Sequence, residues 1–146
     1  MRKSAFAATA AFVFSTVIAA SSSASADVNI YRGGSRWAVL EDDGDVYING
    51  SRVGQIESDG DVYINGSRVG QVESDGDLYR GGSRIGQIES DGDLYLNGSR
   101  AGQIESDGDI YVRGSRWGSA NNCCSGYASL RRLAAVLVFF DGGAFH

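Results

Sequence analysis

The sequence predicts an all-β fold: a closed, pseudo-symmetric shallow barrel, or flower, of repeated antiparallel β-hairpins. Three observations lead there. A sixteen-residue unit recurs six times without insertion or loss, at 29–44, 45–60, 61–76, 77–92, 93–108 and 109–124. Each unit holds two short runs rich in Val, Ile, Leu and Tyr, the composition of strands. The runs are separated alternately by Asn-Gly and Asp-Gly, and the chain has 21 Gly and no Pro. Self-similarity at a fixed period marks a repeat architecture whose neighbouring units bury a shared core.

Within 45–60, Asp45-Val46-Tyr47-Ile48 forms the first strand and Asn49-Gly50 the turn. Asn-Gly is a strong two-residue hairpin signal, because a type I′ turn needs positive φ at both central residues. The second strand begins at Ser51, and Ser58-Asp59-Gly60 turns the chain again. A two-residue loop predicts the pairs Ile48 with Ser51, Tyr47 with Arg52 and Val46 with Val53. Tyr47 and Arg52 then share a face on which ring and guanidinium can stack. Ile56 falls on that Tyr face unless a bulge at Gly54 brings Val53 and Ile56 to one side.

A parallel β-solenoid with sixteen-residue coils is the alternative. Equivalent residues would stack at ~4.8 Å, lining up Asp59, Asp75, Asp91 and Asp107 in a ladder of like charge. A radial arrangement separates those carboxylates, and Asn-Gly turns join antiparallel neighbours. The closed ring is therefore the predicted form.

Residues 1–26 read as a secretory signal peptide. Arg2 and Lys3 form a basic start, residues 5–20 an apolar stretch, and Ala24-Ser25-Ala26 a small-residue cleavage site. An uncleaved anchor is the alternative reading, since the stretch approaches the ~20 residues of a spanning helix. Cleavage near Ala26 leaves a periplasmic or extracellular protein of two parts: six repeats over 27–124 and an apolar tail over 125–146. The net charge is −5 overall, and both of the leader's basic residues are lost on cleavage. Such an acidic chain repels phosphate backbones, which excludes nucleic acid as a partner. Export permits oxidation of adjacent Cys123 and Cys124; two free thiols, a vicinal bridge and bridges to another chain all remain open.

The pattern Tyr-x-x-Gly-Ser-Arg-x-Gly-x-Ile-x-x-Asp-Gly behind a leader resembles the bacterial β-flower family. The resemblance covers residues 29 to about 140 and implies a small barrel of hairpins around an apolar centre, in forms of four or five petals. The apolar run 133–140 looks like the hydrophobic tail of the five-fold type. Five or six petals both fit here, since two half-petals from the terminal copies would give five and two whole ones six. The resemblance implies no firm activity, and a further likeness to tubby-type barrels implies lipid as a ligand.

Residues present in every copy build the unit, whereas chemistry needs one-off residues converging on a point. No catalytic, cofactor or metal residues are therefore assigned. The Asp-Gly-Asp runs resemble fragments of calcium loops but lack the distant bidentate Glu, and Glu57 with Asp59 recurs as turn chemistry rather than as a glycosidase pair. The Asn-Gly-Ser sequences at Asn49, Asn65 and Asn97 match a glycosylation acceptor, which turn chemistry also explains. The candidate ligand surface comprises Tyr47, Tyr63, Tyr79 and Tyr95, Arg52, Arg68, Arg84 and Arg100, and the first- and last-copy pair Trp37 and Trp117. Ring closure would bring the two Trp together. Arg32 and Arg80, standing where other copies have Ile or Leu, suggest a position reaching solvent.

In the tail, 127–135 suggests a short helix and 136–140, β-branched and aromatic, a strand covering the open end or seam of the barrel. The expected function is a non-enzymatic exported structural or binding module of unknown ligand. A lipid- or membrane-surface module using the apolar centre and tail, or a protein partner met by Leu133, Phe139 and Phe140, is the alternative; an exported hydrolase ranks third.

Overall fold

The computed structural model describes residues 27–145; the expected signal peptide at 1–26 lies outside them. Twelve strands form six hairpins: β1 (Val28–Arg32) with β2 (Ser35–Leu40), β3 (Asp45–Ile48) with β4 (Ser51–Ile56), β5 (Asp61–Ile64) with β6 (Ser67–Val72), β7 (Asp77–Arg80) with β8 (Ser83–Ile88), β9 (Asp93–Leu96) with β10 (Ser99–Ile104), and β11 (Asp109–Val112) with β12 (Ser115–Asn121). Each strand pairs antiparallel with its neighbours in sequence, and β1 pairs with β12 to close the barrel. The closed antiparallel ring is thus the observed fold, and the solenoid is not. Every copy supplies one whole hairpin, so there are six petals, and the terminal copies do not share one.

The turns adopt the expected chemistry. Asn49, Asn65 and Asn97 have φ of 50°, 51° and 51°, each followed by a glycine of φ 80–86°. This is the left-handed pair that a type I′ hairpin needs. At the other rim, Asp59 Oδ1 accepts the amide of Asp61 at 3.0 Å and Glu57 donates its amide to the Asp61 carbonyl at 2.8 Å. The turn also joins the next petal, because its Gly60 carbonyl accepts the amide of Val72 at 2.9 Å.

The hairpin register differs from expectation by one residue. Tyr47 does face Arg52, and Ile48 faces Ser51, but Val46 faces Gly54. The bulge therefore falls at Val53, not Gly54, and it turns Gly54 and Ile56 inward while Val53 stays half-buried. The same shift recurs in all six hairpins, between Arg100 and Gly102 in β10 for example. Without it, Ile56 would sit on the solvent face with Tyr47, because one residue of register flips a strand's faces.

The C-terminal segment is one helix, α1 (Tyr127–Phe140), with no strand at 136–140. It runs through the lumen rather than over an end of the barrel. Its N-terminal half meets the Asp-Gly rim, where Arg131 donates to the Glu73 carbonyl at 3.0 Å and Arg132 to that of Glu41 at 3.2 Å. Its last turn meets the Asn-Gly rim, where Arg80 donates to the Val138 carbonyl at 3.2 Å. Leu133, Ala134, Ala135, Val136 and Leu137 are each 0% exposed, and they share one core with the inward strand residues. A helix apolar all round belongs in such an interior. The physical reason against a strand is backbone pairing. Every sheet edge in a closed ring is already used, so an extended segment in the lumen would leave its amides and carbonyls unpaired. A helix pairs its own.

Inward glycines let neighbouring strands approach closely, each facing a Tyr carbonyl of the next strand, and two of them also make room for rings of α1. Gly54, Gly70, Gly86, Gly102 and Gly118 all face inward. A Cβ on Gly54 would lie 2.7 Å from Phe140 Cε1, and one on Gly102 3.1 Å from Phe145 Cε1. The strands have four to seven residues, short of the ~9–11 of a membrane-spanning β-strand. Among the described residues no helix is long and apolar enough to cross a membrane.

Two outcomes test the filled lumen. Leu137→Ala should cost about 2–5 kcal/mol, the range for a buried large-to-small change, and thermal denaturation should show a fall of roughly 10 °C. Deleting residues 133–146 should unfold or aggregate the domain in detergent-free buffer, read by near-UV circular dichroism and gel filtration. A soluble truncation of unchanged melting temperature would contradict the packing.

Candidate functional site

With the lumen filled, the repeated polar residues lie on the outer wall. Arg52 faces Tyr47 across the hairpin as expected, but its guanidinium goes to Asp45 instead of stacking on the ring, at 2.7 Å. Arg68, Arg84, Arg100 and Arg116 repeat the pair with Asp61, Asp77, Asp93 and Asp109 at 2.8, 2.9, 2.8 and 3.0 Å. Charge-assisted pairing holds each long side chain against its own hairpin. The hydrogen bond from Arg52 holds the Asp45 carboxyl below the usual carboxylate range.

Adjacent petals leave grooves in the wall. One, of about 490 Å³, lies between β10 and β11 and is lined by Arg100, Gln103, Glu105, Tyr111 and Arg113. Another, of about 470 Å³, lies between β2 and β3 and is lined by Arg36, Trp37, Glu41, Tyr47 and Asn49. A third lies at the β1–β12 closure, where Tyr31 and Arg116 contribute. Of the candidate residues, Tyr47, Arg100 and Trp37 line these grooves. Tyr63, Tyr79 and Tyr95 hold the equivalent outward, half-buried position, as Arg52, Arg68 and Arg84 hold that of Arg100.

Trp37 and Trp117 meet, as ring closure requires, edge to face with centroids 5.4 Å apart. Phe145 packs on Trp117 at 5.8 Å and Arg32 covers its face at 5.2 Å. Trp117 Nε1 is buried without an acceptor. This aromatic group sits at the Asn-Gly rim, over the C-terminal end of α1.

Arg32 and Arg80 do more than reach solvent. Arg32 pairs with Asp141 at 3.2 Å, and Arg80 holds the Val138 carbonyl while its guanidinium lies 5.1 Å over Phe139. Cations there suit the negative end of a helix dipole. The break from the Ile or Leu pattern was the sequence signal; its target became visible only once α1 was placed. At the opposite rim Tyr127 donates to the carbonyls of Ile88 (2.6 Å) and Asp75 (2.9 Å), and burial pushes its phenol pKa up.

The turns at that rim gather Glu57, Asp59 and Asp61, and four equivalent sets, with ligand oxygens within 4.8 Å of one another. Asp59 already accepts the Asp61 amide and Asp61 the Arg68 guanidinium, so the sets are largely committed to the turn and to the Arg pair. Cys123 and Cys124 form a vicinal disulfide between β12 and α1, which decides among the three readings. Leu133 is 0% and Phe139 7% exposed, so neither is offered to a partner; Phe140 is half-buried.

No family model, curated protein or solved structure matches this chain.

Acid titration tests the wall. A carboxyl held low contributes stability that is present above its unfolded pKa of about 4 and lost as pH falls through the folded value. Carbon-detected NMR should place the Asp45 midpoint below that ordinary value. Arg52→Met should return it there and flatten part of the acid limb of the stability curve.

Proposed function

We propose that the chain is exported and acts, without catalysis, as a binding module that engages its target through the grooves of its outer wall. The observation that carries this reading is the occupied lumen. α1 fills the apolar centre with the chain's own side chains, which leaves the wall as the repeated surface. Six petals place the same Tyr, Arg and polar groups around the ring, a pattern suited to many weak contacts acting together. The recurrence of those residues favours binding over chemistry, since catalysis calls on unique convergent groups. The Cys123–Cys124 bridge supports export, because disulfides persist in oxidising compartments. Likeness to the β-flower family enters as support for the ring and its tail; the six hairpins here exceed the petal number of its described forms. The lipid reading drew on an open apolar centre and a free tail, and both are used internally.

Co-sedimentation tests the reading. The purified chain is mixed with insoluble peptidoglycan and, separately, with phosphatidylglycerol vesicles. Retention on the polymer, lost in a Tyr63→Ser/Tyr79→Ser/Tyr95→Ser variant that stays folded, is the expected result. Flotation with vesicles, or stoichiometric lipid after native purification, abolished by Phe140→Ala, would replace it with the lipid reading.

A further inference from the structure

At the Asp-Gly rim the N-terminal half of α1 meets three consecutive turns, at 41–44, 57–60 and 73–76. Two adjacent arginines of the helix reach to either side of the middle turn. Arg132 donates to the Glu41 carbonyl at 3.2 Å and Arg131 to the Glu73 carbonyl at 3.0 Å. The turn between them receives neither, and a cavity of about 270 Å³ opens there. Its lining carries four charges: Glu57 and Asp59 from the turn, Arg131 and Arg132 from the helix. Among the described residues, no ion pair joins either carboxylate to either guanidinium. Geometry gives the reason. Carbonyls of the flanking turns hold both guanidiniums, and Arg131 also lies 5.2 Å over the Tyr127 ring. Asp59 Oδ1 is held in turn by the Asp61 amide. Two charges of each sign thus line one space without meeting.

We propose that this cavity binds a free α-amino acid with a small side chain, its ammonium held by Glu57 and Asp59 and its carboxylate by Arg131 and Arg132. The cavity lies at the rim, apart from the wall grooves, so the site is additional to the outer-wall reading. A lone anion is repelled by the two carboxylates, and a lone cation by the two guanidiniums. A zwitterion meets a partner of opposite sign at each end. Each arginine presents a fork of donors, of which the flanking carbonyl takes one nitrogen, leaving others for a carboxylate. An ammonium carries three donors; Glu57 and the second oxygen of Asp59 accept, with the Ser58 and Ser74 hydroxyls in the same lining. The cavity falls just below the ~300–1,000 Å³ of drug-sized sites, which suits a smaller molecule. Buried Ile56 and Val72, with Ala128, form its apolar part and match an alanine-sized side chain. Backbone contacts already hold the arginines, so binding orders little that is not fixed beforehand.

Blocked amino acids supply the test. The purified chain is titrated, followed by amide NMR, with L-alanine, with N-acetyl-L-alanine, which lacks the ammonium, and with L-alanine methyl ester, which lacks the carboxylate. The expected result is saturable binding of alanine, with shifts at Ser58, Gly60 and Ala128. Each blocked form should bind about tenfold more weakly or worse, the scale of a hydrogen bond to a charged group. Arg131 and Arg132 also tie the helix to the rim, so the decisive variant is Glu57→Gln, which keeps the side chain's shape. It should weaken alanine by about tenfold while leaving the melting temperature within a few degrees. Glu89→Gln, the same substitution at another turn, should bind alanine as the unaltered chain does. No saturable binding, equal binding of alanine and either blocked form, or full binding by Glu57→Gln would each overturn the proposal. Such a failure leaves the outer-wall reading standing, because that reading is tested on the Tyr63, Tyr79 and Tyr95 petals.

Discussion

The structure depends on filling the centre of its ring. Twelve strands close into a barrel, and a barrel's diameter grows with strand number until inward side chains no longer meet. Interiors pack to crystal-like density, and α1 supplies the missing volume. Its apolar residues face the strands in every direction, and the inward Gly54 and Gly70 leave room for its Phe140 and Phe139 rings. The mid-strand glycines recur through the repeat for a reason within the sheet: a Cβ there would meet the backbone carbonyl of the Tyr on the neighbouring strand.

Filling the centre also accounts for the departures from the repeat. A six-fold ring and a single helix do not share symmetry, so the contacts between them must break it. Arg32 and Arg80 appear only where the C-terminal end of α1 needs a cation, and Arg131 and Arg132 reach turn carbonyls at the other rim. The paired Trp mark the closure of the ring, where Trp37 meets Trp117. Each irregularity is local and has a contact to explain it.

The wall is governed by the bulge. By sending Gly54 and Ile56 inward it leaves Tyr47, Arg52 and Gln55 outside, beside Asp45. The surface is thus a set of near-identical grooves in which the wall arginine of five copies is paired with its own aspartate. Asn29 stands at that aspartate position in the first copy, so Arg36 makes no such pair.

Much of the ring was legible in the residues. The period marked the petals, Asn-Gly and Asp-Gly marked both rims, and Trp37 and Trp117 marked the seam, because turn geometry and repetition are local properties. The pairing of Tyr47 with Arg52 followed from loop length alone. What was not legible depended on other parts of the chain. The bulge could be placed at Val53 or Gly54 by local rules equally well, and either would bury Ile56; the inward position lies too close to the Tyr63 carbonyl and the Phe140 ring for a Cβ, which puts Gly54 there and the bulge at Val53. Residues 136–140 carry strand propensity, yet they are helical because a closed ring offers no free edge to pair with. Arg52 could stack on Tyr47 or bond Asp45, and the sheet brought the carboxylate within reach. Sequence by itself determined the six hairpins and their turns. Only the tertiary structure decided which face is the core and what fills it, because burial is a property of the closed barrel and not of any one repeat.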